Sequence, residues 1–285
     1  MANAEEQPIV FVMAHGAASS RGAQTMNRQR LAAALVLTFG AALDAQADVV
    51  TRSSVTTVAG GKTTPGEWVE SVQGLRMRGH WVSPKAPGCR SVGLIHDVAG
   101  NRVVILWCDK QEAEVVDAVK AAAEVEKRLP ARLVTTTIEP TGRSQDLLGV
   151  RCEEFVFSVK APLNEDTVLI RRGTAWVAKS GPGVEEYVAF YRSALTVITA
   201  GSIRAPKAFV ADDRTSMELS RQLALLGGVP YEMHITLEVQ GRGTYASLMR
   251  KAFEFDQSIK VTSMESSPLD GHVFDVPEGW KTRTR

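Results

Sequence analysis

The stretch CRSVGLIHDVAGNRVVILWC, residues 89–108, constrains the fold of this chain more than any other. Its second half, RVVILWC, is apolar on both faces of a strand, and such a strand is stable only when covered from both sides. Two apolar runs flank the turn DVAGN, so the segment reads as an antiparallel hairpin. The next segment of the chain supplies a cover. In KQEAEVVDAVKAAAEVEKRL, residues 110–129, Val115, Val116, Val119, Ala123 and Val125 fall near one stripe with Glu and Lys opposite. That pattern predicts an amphipathic helix ending at Pro130.

The same scheme runs through the rest of the chain. VVTRSSVTTVAG (49–60) and LRMRGHWVS (75–83) alternate as half-buried strands do. RLVTTTIEPTG and RCEEFVFSVKAP read as strands around a turn, and DTVLIRRGTAWVAKS (166–180) as another strand pair. GVEEYVAFYRSALTVI (183–198) reads as a helix, Thr199 to Asp213 as a connector, and RTSMELSRQLALL (214–226) as a helix stopped by Gly227, Gly228 and Pro230. A strand YEMHITLEV, a short helix or turn GTYASLMRK, a strand IKVTSMES and a tail HVFDVPEGWK complete the series. No long linker divides it. The expected class is α+β, one domain over 48–285 built as a curved antiparallel sheet or incomplete barrel covered by amphipathic helices.

The N-terminal part has a different grammar. After Met26 come Arg28 and Arg30, an uncharged stretch from Leu31 to Leu43, and Ala45-Gln46-Ala47. A basic region, an apolar region and a small-x-small site, in that order, make a secretory signal peptide over 26–47. The apolar stretch is shorter than the roughly 20 residues needed to span a bilayer. Cleavage is expected between Ala47 and Asp48, with residues 1–25 an upstream extension preceding the true start at Met26. The product would be periplasmic or secreted and not an integral membrane protein.

Export changes how the cysteines are read, because disulfides persist outside the cytoplasm. The chain has three, Cys89, Cys108 and Cys152. Cys89 and Cys108 lie about equally far from the centre of the DVAGN turn, so a bridge between them is expected. The net charge of +1 shows no clustered basic face of the kind nucleic acid requires.

Two glycine-rich stretches imitate nucleotide sites. Gly61-Lys62-Thr63 ends like a phosphate-binding loop, but Thr56 stands where its first glycine belongs, and a surface turn is the reading. Gly241, Gly243 and Ala246 follow an apolar strand as in a dinucleotide fingerprint, yet only one such unit exists near the C-terminus. No cofactor is expected. The histidines show no metal-ligand spacing, and His96-Asp97 sits at a hairpin turn where Asp commonly caps the backbone. No metal site and no catalytic motif is found, so the chain is not expected to be an enzyme. Trp81, Trp107 and Trp176 each lie in a strand run. If they face the concave side of a curved sheet they would line an apolar cavity, and they are the candidate ligand-binding residues.

Several stretches together resemble one exported family, domain of unknown function 4412. GVRCEEFVFSV after TTTIEPTG resembles its paired strands with a Gly-x-x-Cys-x-x-aromatic pattern, and TAWVAKSGPGVEEYVAFYR its strand-to-helix passage. ALLGGVPYEMHITLE resembles its Gly-x-Pro strand entry, and VFDVPEGWK its C-terminal ending. The resemblance spans Val50 to Lys281 and implies a half-open antiparallel barrel capped by helices, similar to the periplasmic lipoprotein carriers (LolA-like). It brings no catalytic residues. The expected function is a non-enzymatic carrier or binder of a hydrophobic ligand such as a lipid or acyl chain. The alternative is an envelope structural or assembly factor that binds another protein.

Overall fold

The computed structural model describes residues 48–83, 86–194 and 207–284, without the side chains of 83–91 and 207–209. All of them fall in one unit, Asp44–Arg285. The expected extension 1–25 and signal segment 26–47 lie outside the described residues. So does the cleavage-site Ala47, whereas Asp48 is described: its carboxylate is buried and accepts the Leu269 amide at 2.5 Å and Gln73 Nε2 at 3.0 Å.

Twelve strands form one sheet: β1 (Val49–Ala59), β2 (Lys62–Gln73), β3 (Arg76–Ser83), β4 (Ala86–Asp97), β5 (Arg102–Trp107), β6 (Glu112–Asp117), β7 (Thr135–Leu147), β8 (Val150–Pro162), β9 (Thr167–Ala178), β10 (Val229–Gly241), β11 (Phe255–Ser266) and β12 (Lys281–Thr284). Their spatial order is β12-β6-β5-β4-β3-β2-β1-β11-β10-β9-β8-β7. Every pairing is antiparallel except that of β12 with β6. The helices are α1 (Ala118–Arg128), α2 (Val184–Ser193), α3 (Lys207–Leu225) and α4 (Gly243–Phe253). None of the described helices is long and apolar enough to cross a membrane.

The curvature of the sheet follows from the packing of α1. Ala118 and Ala121 share a buried cluster with Val103 and Ile105 of β5, while Val125 and Leu129 share another with Val210 and Ala211 of α3, Leu237 and Val239 of β10 and Leu169 of β9. From β5 to β10 is six strand steps, which in a flat sheet at about 4.8 Å per step is about 29 Å. An eleven-residue helix is only about 16 Å long. The sheet therefore curls around its helices, which line the concave side, and it stays open between β12 and β7.

The both-faces-apolar strand is covered as its sequence requires. Val103 and Ile105 of β5 face α1, and Val104 and Leu106 face the C-terminal segment, where they pack with Phe274. The hairpin partner is β4, with Asp97 opposite Arg102. The covering helix is shorter than expected. Residues 112–117 of the predicted helix are β6, because the β-branched pair Val115-Val116 extends the sheet beside β5. Asp117 then caps α1, its carboxylate accepting the amides of Val119 and Lys120 at 3.0 Å.

Two other expectations change. The predicted strand pair over 166–180 is one strand, β9. Its Gly173 is not a turn but a close approach, since a Cβ there would lie 1.8 Å from the His234 carbonyl oxygen of β10. Residues 207–213 of the predicted connector belong to α3, which β9 anchors: buried Arg171 donates to Asp212 at 2.6 Å and to Thr215 at 3.3 Å. The dinucleotide-like stretch is the β10-α4-β11 passage, and β10 and β11 pair antiparallel rather than forming a parallel unit. The Gly60-Gly61 stretch is the tight turn between β1 and β2.

Candidate functional site

Strand alternation puts Thr51 and Ser53 of β1 on the concave face, opposite Glu70 and Trp68 of β2. The same face continues into β3, where Trp68 is paired with Trp81 and Glu70 with Gly79. The absence of a side chain at Gly79 is required: a Cβ there would lie 2.4 Å from Trp68 Cζ2. Trp81 in turn passes over Gly66, whose added Cβ would meet Trp81 Cζ3 at 3.0 Å. Each indole thus occupies the space the other strand's glycine leaves. The two rings meet edge to face with centroids 5.2 Å apart.

Above this patch lies α2. Tyr187 and Tyr191 are one helical turn apart and stack with centroids 4.6 Å apart. Both hydroxyls reach down to Glu70, Tyr187 donating to Oε2 at 2.5 Å and Tyr191 to Oε1 at 3.4 Å. Trp68 Nε1 donates to Oε1 at 2.9 Å. Burial, reinforced by the neighbouring Glu70 charge, pushes both phenols well above their usual value, so they remain neutral donors.

These groups border a cavity of about 190 Å³ between the sheet and α2 and α3. Its remaining wall is mostly aliphatic: Leu219 and Leu223 of α3, Val188 of α2, Met233 of β10, and Ile259 and Val261 of β11. Glu70 is the one charged lining residue, and it forms no ion pair among the described residues. Thr51 is 5% exposed and its Oγ1 has no hydrogen-bond partner among the described residues. The chemical capacity of such a wall is to hold an aliphatic body and fix one polar end.

Of the tryptophans singled out by sequence, Trp81 touches this site through Trp68. Trp107 lies on β5, 37% exposed, with Lys110 Nζ 5.6 Å from its ring centroid. Trp176 lies on β9 opposite Glu154, beneath the Arg143 guanidinium at 5.8 Å. The structure does not gather the three. Sequence reasoning passed over Trp68, Glu70, Thr51, Tyr187 and Tyr191, although two signals were present. Trp68 and Glu70 are two apart and so share a strand face, and Tyr187 and Tyr191 are four apart and so share a helix face.

His96 and Asp97 do not act together. His96 faces the concave side between Met77 and Val103, while Asp97 accepts the Gly100 amide at 2.9 Å and Arg102 Nε at 2.8 Å. Cys108 is disulfide-bonded and Cys152 is a free, buried thiol. The side chain of Cys89 lies outside the described residues. The β4–β5 ladder ends at the pair Val92 and Trp107, short of both cysteines. Among the described residues no cluster of His, Cys, Asp and Glu has the makings of a metal site.

No protein-family model and no curated protein matches the chain. Among solved structures it is similar to an uncharacterized conserved protein from Thermus thermophilus, at 7% identity over 84% of this chain and 91% of that one, with a TM-score of 0.37. It is also similar to a putative outer membrane lipoprotein-sorting protein domain from Vibrio parahaemolyticus, at 6% identity over 81% and 91% of the two chains, TM-score 0.36. A third likeness is to PNGF-II, at 10% identity over 83% of this chain, TM-score 0.37, and there the chain spans 31% of the other protein's length. At such scores the fold description rests on the strand order and register above, not on these likenesses.

Proposed function

We propose that this protein binds a small hydrophobic or amphipathic molecule in the cavity between the sheet and α2 and α3, as an exported carrier rather than an enzyme. The observation that carries the reading is the aliphatic cavity of about 190 Å³ with a hydrogen-bonded polar cluster confined to one border. A cavity of roughly 150 Å³ lined by aliphatic groups holds a benzene-sized guest, whereas drug-sized ligands need about 300 Å³ or more. The bound part is therefore one short chain or ring, not a complete multi-chain lipid. The signal segment expected over 26–47 fits the same reading, and the Cys89 to Cys108 bridge belongs to it as an expectation of an oxidising compartment.

A test is titration with octanol, followed by tryptophan fluorescence and by native mass spectrometry. A saturable change and a one-to-one complex are expected, and Leu223→Trp, which fills the cavity, should abolish both. An unchanged spectrum and no complex would overturn the proposal. The assembly-factor alternative would use the open edge at β7, a thirteen-residue strand at the end of the sheet. That edge carries Pro140 and a bulge between Pro140 and Ser144, features that blunt strand addition.

A further inference from the structure

The border of the cavity is electrostatically one-sided. Glu70 brings a carboxylate, and among the described residues no Lys, Arg or His lines the cavity to balance it. A ligand with an acidic head would meet that carboxylate at close range in a partly dry site, where like charges repel strongly. A cation would be attracted to it. Around the carboxylate stand Trp68, Tyr187 and Tyr191, and the negative face of an aromatic ring attracts ammonium groups. The phenols stay protonated and so add no competing anion.

Hydrogen bonding points the same way. A carboxylate offers about four acceptor positions, and three donors occupy Glu70: Trp68 Nε1, Tyr187 and Tyr191. One position is left. Directly across the strand pair, Thr51 Oγ1 is buried and has no partner among the described residues. The orphaned hydroxyl can accept as well as donate, so together with the spare carboxylate position it offers two acceptor sites to one donor-rich group at the border of the cavity.

We infer that the molecule held here is an amphipathic cation, an alkylammonium whose head sits between Glu70, Thr51 and the aromatic rings and whose aliphatic body lies along Leu223 and Val261. This rests on the cavity being a binding site, as proposed above. Three probes of equal chain length separate the two ideas: octylammonium, octanol and octanoate, titrated into the purified protein at neutral pH by calorimetry. Octylammonium should bind at least about tenfold more tightly than octanoate, with octanol between. In Glu70→Gln the ratio of octylammonium to octanoate affinity should fall to within about threefold. Thr51→Val, which alters no charge, should weaken octylammonium several-fold, and it decides the matter if Glu70→Gln does not fold. Octanol bound with no preference by charge, octanoate bound as tightly as octylammonium, or a preference that survives Glu70→Gln would overturn the cationic head and leave the cavity reading standing. Failure of all three probes to bind would overturn both.

Discussion

His96 gives the protein a pH dependence whose sign and size are fixed by its surroundings. It is 5% exposed on the concave face of β4, between Met77 and Val103, and its Nδ1 has no partner among the described residues. Burial without a compensating anion pushes its pKa down to about 4 from the ordinary value near 6.5. The folded protein therefore holds His96 neutral, while the unfolded chain takes up a proton there as soon as the pH drops below about 6.5. The stability associated with this group is complete above pH 6.5 and is lost as the pH falls toward 4, at about 1.4 kcal/mol per pH unit. Between pH 7.5 and pH 5 the loss is about 2 kcal/mol. His96→Met keeps the volume and removes the titration. Urea unfolding at the two pH values should show the wild type losing about 2 kcal/mol more than the variant. Equal losses in the two proteins, or an imidazole titrating near 6.5 by NMR, would refute the reasoning.

The other predictions concern the anchoring of α3, the orphaned hydroxyl and the cysteines. Asp212→Ala leaves the charge of Arg171, whose side chain is 7% exposed, without its carboxylate and with only the Thr215 hydroxyl, so it should cost about 3 kcal/mol. In a domain of this size that lowers Tm by roughly 6–12 °C. Thr51→Val removes an unsatisfied buried hydroxyl and should raise stability by about 1 kcal/mol in the ligand-free protein, read as an increase in Tm of roughly 2–4 °C. Peptide mapping without reductant should join the Cys89 and Cys108 peptides and return Cys152 as the thiol that alkylates only after unfolding.

The sequence made the double cover of β5 legible because an apolar strand admits one physical solution. The same holds for β8, α2 and the β10 and β11 strands, whose periodicities are local properties. Local pattern failed where tertiary context decided. Glu112–Asp117 reads as helix until β5 offers it a ladder to join. No local pattern marked β2, where Gly66 admits the ring of Trp81. The site was invisible for a related reason. Glu70 and Tyr187 lie 117 positions apart, and only the curl of the sheet beneath α2 brings them to 2.5 Å. The tryptophans drew attention, but what marks the cavity border is a carboxylate set between Trp68 and Val72 on one strand face.

The most direct test is crystallographic. A crystal soaked with a bromoalkanol of about eight carbons should show an anomalous bromine peak in the cavity between Leu223 of α3 and Val261 of β11, with the hydroxyl end toward Glu70 and Thr51. A soak that leaves the cavity without a peak, at concentrations where bromine appears at surface sites, would contradict the assignment of this space as a binding site.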